Sequence, residues 1–230
     1  MASPPTSKRQ RTGKSDAPEP GSSSLSTKLR PVVVFAHGAG APSSSEWMVR
    51  WKDKLENALQ AVEVITFDYP YMSGVKRRAP PKAEKLIDYH LDVVKKASEK
   101  YPDHPLILAG KSMGSRVSCM VAALKDSGVS AVVCLGYPLK GINGKVRDET
   151  LLQLKTPIMF VQGSKDGLCP LEKLDAVCKK MDCVNKLHVI EGGDHSFKIA
   201  KKHLQLSGTT QDEAEDHAVQ AIAMFASESL

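Results

Sequence analysis

Three places in the chain carry residue types suited to acyl transfer. Gly110-Lys111-Ser112-Met113-Gly114 sets a serine between glycines, Gly163-Ser164-Lys165-Asp166 ends on a carboxylate, and Gly192-Gly193-Asp194-His195-Ser196 presents an imidazole. A serine hydroxyl is a poor nucleophile until a base takes its proton. Imidazole does this near neutral pH, and a carboxylate fixes its tautomer and stabilises the imidazolium. These residues read as Ser112 nucleophile, His195 general base and acid, and Asp166 orienter. Asp68 is the rival orienter, whereas Asp194 cannot easily reach back to its own neighbour's ring.

Acyl transfer also needs two donors aimed at the oxyanion, each worth roughly 3–4 kcal/mol where one has been removed. The Met113 amide, directly after Ser112, is one. The loop His37-Gly38-Ala39-Gly40 offers the second from Gly38 or Ala39, with His37 bracing that loop.

Positioning these groups requires strands that deliver them to one edge. Leu106–Gly110 is a short apolar run ending at the pentapeptide, after which Val117, Met120, Val121 and Leu124 recur at helical spacing. Strand, sharp turn and helix make a nucleophile elbow. By itself Gly-x-Ser-x-Gly is a frequent chance match; its placement between strand and helix gives it weight. Further strands are expected at Pro31–Ala36, Val62–Pro70 (ending in a turn), Ala131–Leu135, Pro157–Gln162 and Leu187–Ile190, the continuous runs among them being suited to burial on both faces. Helical stripes fall on Trp47–Leu59 with Ser43 to Ser45 as N-caps, on Ala83–Ala97, on Leu171–Met181, and on Ala214–Phe225 after a capping box at Thr210 and Glu213. Trp47 and Trp51 read as core anchors. Strand and helix alternate about six times, which predicts an α/β, mostly parallel sheet of about six strands with helices on both faces and ligands beyond the carboxyl ends of the strands.

The 230 residues, 41% hydrophobic and 25% charged, suffice for one sizeable domain. It is expected over residues 29–230. Residues 1–28, rich in Ser, Pro and Thr, are expected to be a disordered tail. Six Lys/Arg against Asp16 and Glu19 give residues 1–30 a charge of +4 out of +6, leaving +2 for the rest. Basicity therefore belongs to the tail, where Ser7–Lys14 reads equally as a nuclear-import cluster or a solvated charge run. The first fifteen residues lack acids, as in organellar transit peptides, but show no amphipathic pattern. With 5% aromatics, the body offers no nucleic-acid platform. Gly141–Lys145 lacks the spacer and Ser/Thr of a phosphate loop. No membrane span or signal peptide is indicated, and the five unpaired-looking cysteines suggest a reduced, intracellular protein of cytoplasm or nucleus. Neither metal nor cofactor is expected.

His37-Gly38, the Ser112 pentapeptide, Gly163-x-x-Asp166 and Gly193–Ser196 together resemble the α/β-hydrolase superfamily over about residues 31–226. Size and loop spellings are similar to the dienelactone-hydrolase-like branch, although Ser112 stands where that enzyme has a cysteine, so lactone specificity is not implied. Val34–Gly40, Phe67–Pro70 and Gly110–Gly114 look most like the small hydrolase-like proteins related to subunit 3 of the nonspecific-lethal chromatin complex and its testis-expressed relative. The resemblance implies nuclear association for some members. Only about twenty residues, Gly136 to Thr156, separate two strands where larger hydrolases insert a lid, so the site is expected to be open. Two functions follow: a serine hydrolase of an ester or thioester acting on a small-molecule or acylated substrate, or a hydrolase-fold interaction module in a nuclear assembly, reaching protein partners through the tail.

Overall fold

The computed structural model describes residues 1–3, 29–73 and 79–230. The basic tail cluster lies outside the described residues, as does the run Lys76-Arg77-Arg78, which the sequence marks as a basic loop. Six strands form one parallel sheet in the order β2-β1-β3-β4-β5-β6: β1 Val32–Ala36, β2 Glu63–Phe67, β3 Leu106–Lys111, β4 Ala131–Leu135, β5 Ile158–Gly163 and β6 Asn185–Ile190. β1, β3, β4 and β5 are buried along their whole length, as continuous apolar runs in a doubly covered sheet should be. β2 and β6 are the edges and are only partly covered, so polar residues such as Lys186 and His188 are tolerated there.

Strand alternation divides the core in two. Val32, Val34 and Ala36 of β1 face the layer built on α2 (Ile87–Lys100) and α3 (Met113–Ala122), while Val33 and Phe35 face α1 (Glu46–Leu59) and the C-terminal helix Gln211–Ser229. The helix expected from Trp47 begins one residue earlier. Ser45 is its N-cap by backbone conformation but makes no side-chain cap bond. The capping box is present, with Thr210 accepting from the Glu213 amide and Glu213 accepting from the Thr210 amide.

The helix expected over Leu171–Met181 is α5, Leu171–Cys178, and the first turn of the stripe expected from Ala83 is a 3-10 turn, Ala83–Leu86, that precedes α2. Two short elements went unseen in the sequence: the helix α4, Glu149–Gln153, and α6, Lys201–Ser207, which precedes α7, the C-terminal helix. α4 and α6 are five and seven residues long, too short for a periodic stripe to stand out. Between β4 and β5 the chain holds one 3-10 turn and α4, with no lid domain. Cys119, Cys134, Cys169 and Cys183 are buried thiols, as small apolar residues would be.

In register, Ala36 pairs with Phe67 and with Gly110, Lys111 with Leu135, and Gly163 with Ile190. The loops starting at His37, Ser112, Gly136, Ser164 and Glu191 therefore open at one edge of the sheet. No helix among the described residues is long and apolar enough to cross a membrane.

Candidate active site

The turn between β3 and α3 holds Ser112 at φ 51° and ψ −112°, a left-handed region that costs a β-carbon residue of order 1–3 kcal/mol. Packing imposes that geometry. A β-carbon on Gly110 would collide with the backbone of Gly114 and Ser115, and one on Gly114 would lie 2.5 Å from the Ala36 carbonyl oxygen. The glycines thus let α3 start directly against the ends of β1 and β3. The Ser112 amide donates to the Leu135 carbonyl at 3.0 Å, fixing the turn from β4 as well.

Ser112 Oγ lies 2.8 Å from His195 Nε2, and His195 Nδ1 lies 2.7 Å from Asp166 Oδ2. The Asp166 side chain is fully buried and that of His195 is 27% exposed, so the relay runs from the interior to the surface. Burial raises the Asp166 pKa, but hydrogen bonding and attraction from His195, with the Leu168 amide and the Gln162 side chain, outweigh it and hold the carboxyl below its ordinary range.

Asp68 is engaged elsewhere. Its Oδ1 accepts from the Ser43 amide at 2.7 Å and lies 3.9 Å from His37 Nε2. His37, completely buried, has both ring nitrogens committed to backbone: Nδ1 lies 2.6 Å from the Gly38 carbonyl oxygen and Nε2 accepts from the Tyr69 amide at 3.1 Å. These partners fix the Nδ1–H tautomer. Burial lowers the His37 pKa against the raising effects of Gly38 and Asp68, which suits this neutral role.

The His37–Gly40 loop is held by Tyr71 too, whose hydroxyl donates to the Gly38 and Ala39 carbonyls, each at 3.3 Å. Burial, then Asp68, pushes the Tyr71 pKa up to about 12, so the phenol remains a donor. In a trans peptide the N–H points opposite the carbonyl. Drawing the Gly38 oxygen toward His37 and Tyr71 thus turns the Ala39 N–H away from both. Gly38 sits beside the elbow, where an added β-carbon would lie 3.5 Å from Ser112 Cβ. Met113 opens α3, and its amide belongs to the first turn, where N–H groups have no intrahelical acceptor.

The sequence reading missed the parts that hold the imidazole loop. Lys111, the variable residue before Ser112, runs inward, and its Nζ donates to the His195 carbonyl. The same Nζ lies 4.7 Å from the Trp47 ring centroid and 5.0 Å from that of Phe197. Trp47 is only half-buried and donates its indole N–H to the Ser196 carbonyl at 3.0 Å, so it clamps this loop besides stacking on the buried Trp51. The Asp194 carboxylate accepts from the amides of Ser196 and Lys198, closing a turn around His195. A lysine beside a catalytic-type serine reads in sequence as a solvated charge; only the fold reveals its inward path.

A six-stranded parallel sheet with a strained serine after its third strand, and a histidine and an aspartate brought to it from later strand ends, is the α/β-hydrolase fold. The chain belongs to the Alpha/beta hydrolase domain family, which matches residues 29–227. It is similar in structure to a dienelactone hydrolase from Anabaena variabilis (TM-score 0.62, 19% identity, 88% of this chain and 86% of that one). It is also similar to the ferulic acid-bound Est1E from Butyrivibrio proteoclasticus (TM-score 0.61, 19% identity, 84% and 88%). A third similar structure is an a/b serine hydrolase without lid from Xanthomonas campestris (TM-score 0.58, 16% identity, 86% and 83%). At these identities the likeness is one of fold.

Proposed function

We propose that the chain is a serine hydrolase that cleaves an ester or thioester through an acyl-enzyme. The observation that carries this reading is the continuous relay from Ser112 Oγ through His195 to the buried Asp166. In the first half-reaction Ser112 Oγ attacks the acyl carbon while its proton passes to His195 Nε2. The charge that develops on the acyl oxygen is met by the Met113 amide and by an amide of the His37–Gly40 loop, Ala39 being favoured by its peptide orientation and Gly38 the alternative. His195 then gives its proton to the departing alkoxide or thiolate. Water repeats the sequence on the acyl-enzyme, releasing the acid and restoring Ser112.

Asp166 acts by orienting His195 and stabilising its protonated form. The site, reached by solvent at His195 and with no lid domain between β4 and β5, favours small soluble esters or acyl groups on a macromolecule over long lipid chains. We place this activity in a single domain over residues 29–230, with residues 1–28 as an appended tail. Kinship to the chromatin-complex branch rests on the sequence phrases at Val34–Gly40, Phe67–Pro70 and Gly110–Gly114.

Labelling by a fluorophosphonate serine probe tests the proposal. Wild type should label, Ser112→Ala and His195→Ala should not, and Asp166→Asn should slow labelling by roughly 10³–10⁴-fold while Asp68→Asn changes it little. Folded wild type that fails to label would overturn the hydrolase reading and leave an interaction scaffold. A larger loss at Asp68 than at Asp166 would reassign the orienter.

A further inference from the structure

A cleft of about 470 Å³ opens beside the elbow helix, between the outer face of α3, the start of α2 and the segment from Tyr137 to Gln153. Two guanidiniums face it. Arg116 lies one turn after Ser112, roughly 6 Å along the helix axis. Its Nη2 pairs with Glu84 at 3.2 Å, but its buried Nε has no hydrogen-bond partner among the described residues. Arg147 donates from Nη1 to the Pro138 carbonyl at 3.1 Å, and among the described residues no carboxylate forms an ion pair with it.

The loop bearing Arg147 is built to hold it. Lys140 and Val146 form an antiparallel bridge, and the Tyr137 hydroxyl donates to the Arg147 carbonyl at 3.0 Å. Burial and the nearby Arg116 both work against the charge on Arg147. Two cations brought together in a concave, partly dry place repel each other, and an anion between them reverses the sign of that interaction.

The carboxylates already present are poor substitutes. The Glu84 side chain is 57% exposed, and Glu149, 76% exposed, is taken by Lys145. Exposed pairs of this kind contribute little and are readily exchanged for a better-held partner. Part of the remaining wall is apolar: Ile87, Met120, Leu124 and Val146 line the same cleft, beside the polar Lys145, Thr150 and Gln153. Two guanidiniums and several aliphatic side chains lining one cleft match an amphipathic anion.

We infer that this cleft is a binding site for an organic carboxylate with an apolar body, its head between Arg116 and Arg147 and its body along Met120 and Leu124. A bare phosphate would satisfy the arginines and leave the apolar wall wet; a neutral alcohol of the same length would do the reverse. The site lies next to the elbow, yet binding there needs no reaction at Ser112, so the inference is independent of the proposed hydrolysis.

Calorimetric titration of the full chain with octanoate, octanol and inorganic phosphate tests it. Octanoate should bind at least about tenfold more tightly than either comparator, the ratio expected from one charge-assisted contact. Arg147→Gln and Arg116→Gln should each weaken octanoate by about tenfold or more and leave octanol unchanged, whereas Glu84→Gln, which frees Arg116, should tighten it. Ser112→Ala should bind octanoate as wild type does. Because Glu84 is exposed, its variant tests the site even where an arginine variant fails to fold. Equal binding of octanoate and octanol, phosphate binding as tightly as octanoate, or no gain in Glu84→Gln would each overturn the inference.

Discussion

At the scale of single residues, Lys111 carries a role that its place in the pentapeptide does not announce. Burial pushes its amine down to about 8, against raising effects from Asp166 and Asp194, so it is mostly charged at neutral pH. The charge is offset by the His195 carbonyl and by the faces of Trp47 and Phe197. Lys111 therefore acts as a positioning residue, tying the imidazole loop to the strand that delivers Ser112. Lys111→Met keeps the aliphatic stem and removes the donor. Fluorophosphonate labelling should slow by about 10- to 100-fold, as expected for a modest misplacement of a base. Wild type should also lose labelling rate as pH rises through about 8, a step absent from the variant. Labelling of Lys111→Met at the wild-type rate would show that the clamp is dispensable. That Ser112, His195 and Asp166 meet could be expected from sequence because each stands in a short loop after an apolar run. Lys111 and Trp47 could not, because an inward lysine and a solvated one have the same spelling.

Among the elements, α3 is the one whose seat leaves no latitude. Gly114 brings its first turn against the end of β1, with the position of a β-carbon 2.5 Å from the Ala36 oxygen and 2.6 Å from that of His37. Backbone cannot yield as a flexible side chain would. Gly114→Ala should cost about 3 kcal/mol in urea denaturation, and Gly40→Ala, which meets nothing within 4 Å, should be near neutral. Equal midpoints for the two variants would refute the argument. The long elements were legible because four of the six strands are buried on both faces and spell continuous apolar runs, and because α1 and α2, each fourteen residues, repeat their stripe. The edge strands were harder. β6 begins at Asn185, two residues before the expected Leu187, since an edge strand keeps its ladder with Lys186 in water while the Asn185 side-chain amide donates to the Cys178 and Cys183 carbonyls. The open segment between β4 and β5 was legible from its length alone, whereas its 3-10 turn and α4 were set by tertiary contact.

For the molecule as a whole, the site loops are coupled to global stability through a buried histidine. His90 of α2 is completely buried, its Nδ1 3.0 Å from the Tyr69 hydroxyl, and the Tyr69 amide in turn caps His37. Burial drives the His90 pKa from its ordinary 6.5 to about 3. Between those values the unfolded chain binds a proton that the folded one refuses. Its contribution to stability is therefore complete above about 6.5 and is lost as pH falls toward 3, by up to about 1.4 kcal/mol per pH unit. Urea midpoints measured from pH 7 to 4 should fall more steeply for wild type than for His90→Gln, and equal slopes would refute this assignment. The sheet order has one more consequence. Ser112 follows a central strand, but His195 hangs from β6, the edge strand added last along the chain. Domains fold as units during synthesis, and Ser112 leaves the ribosome well before the residue proposed as its base. On the proposed hydrolase reading, the nascent protein is chemically silent for most of its elongation, and a chain cut short before β6 carries the proposed nucleophile without its proposed base.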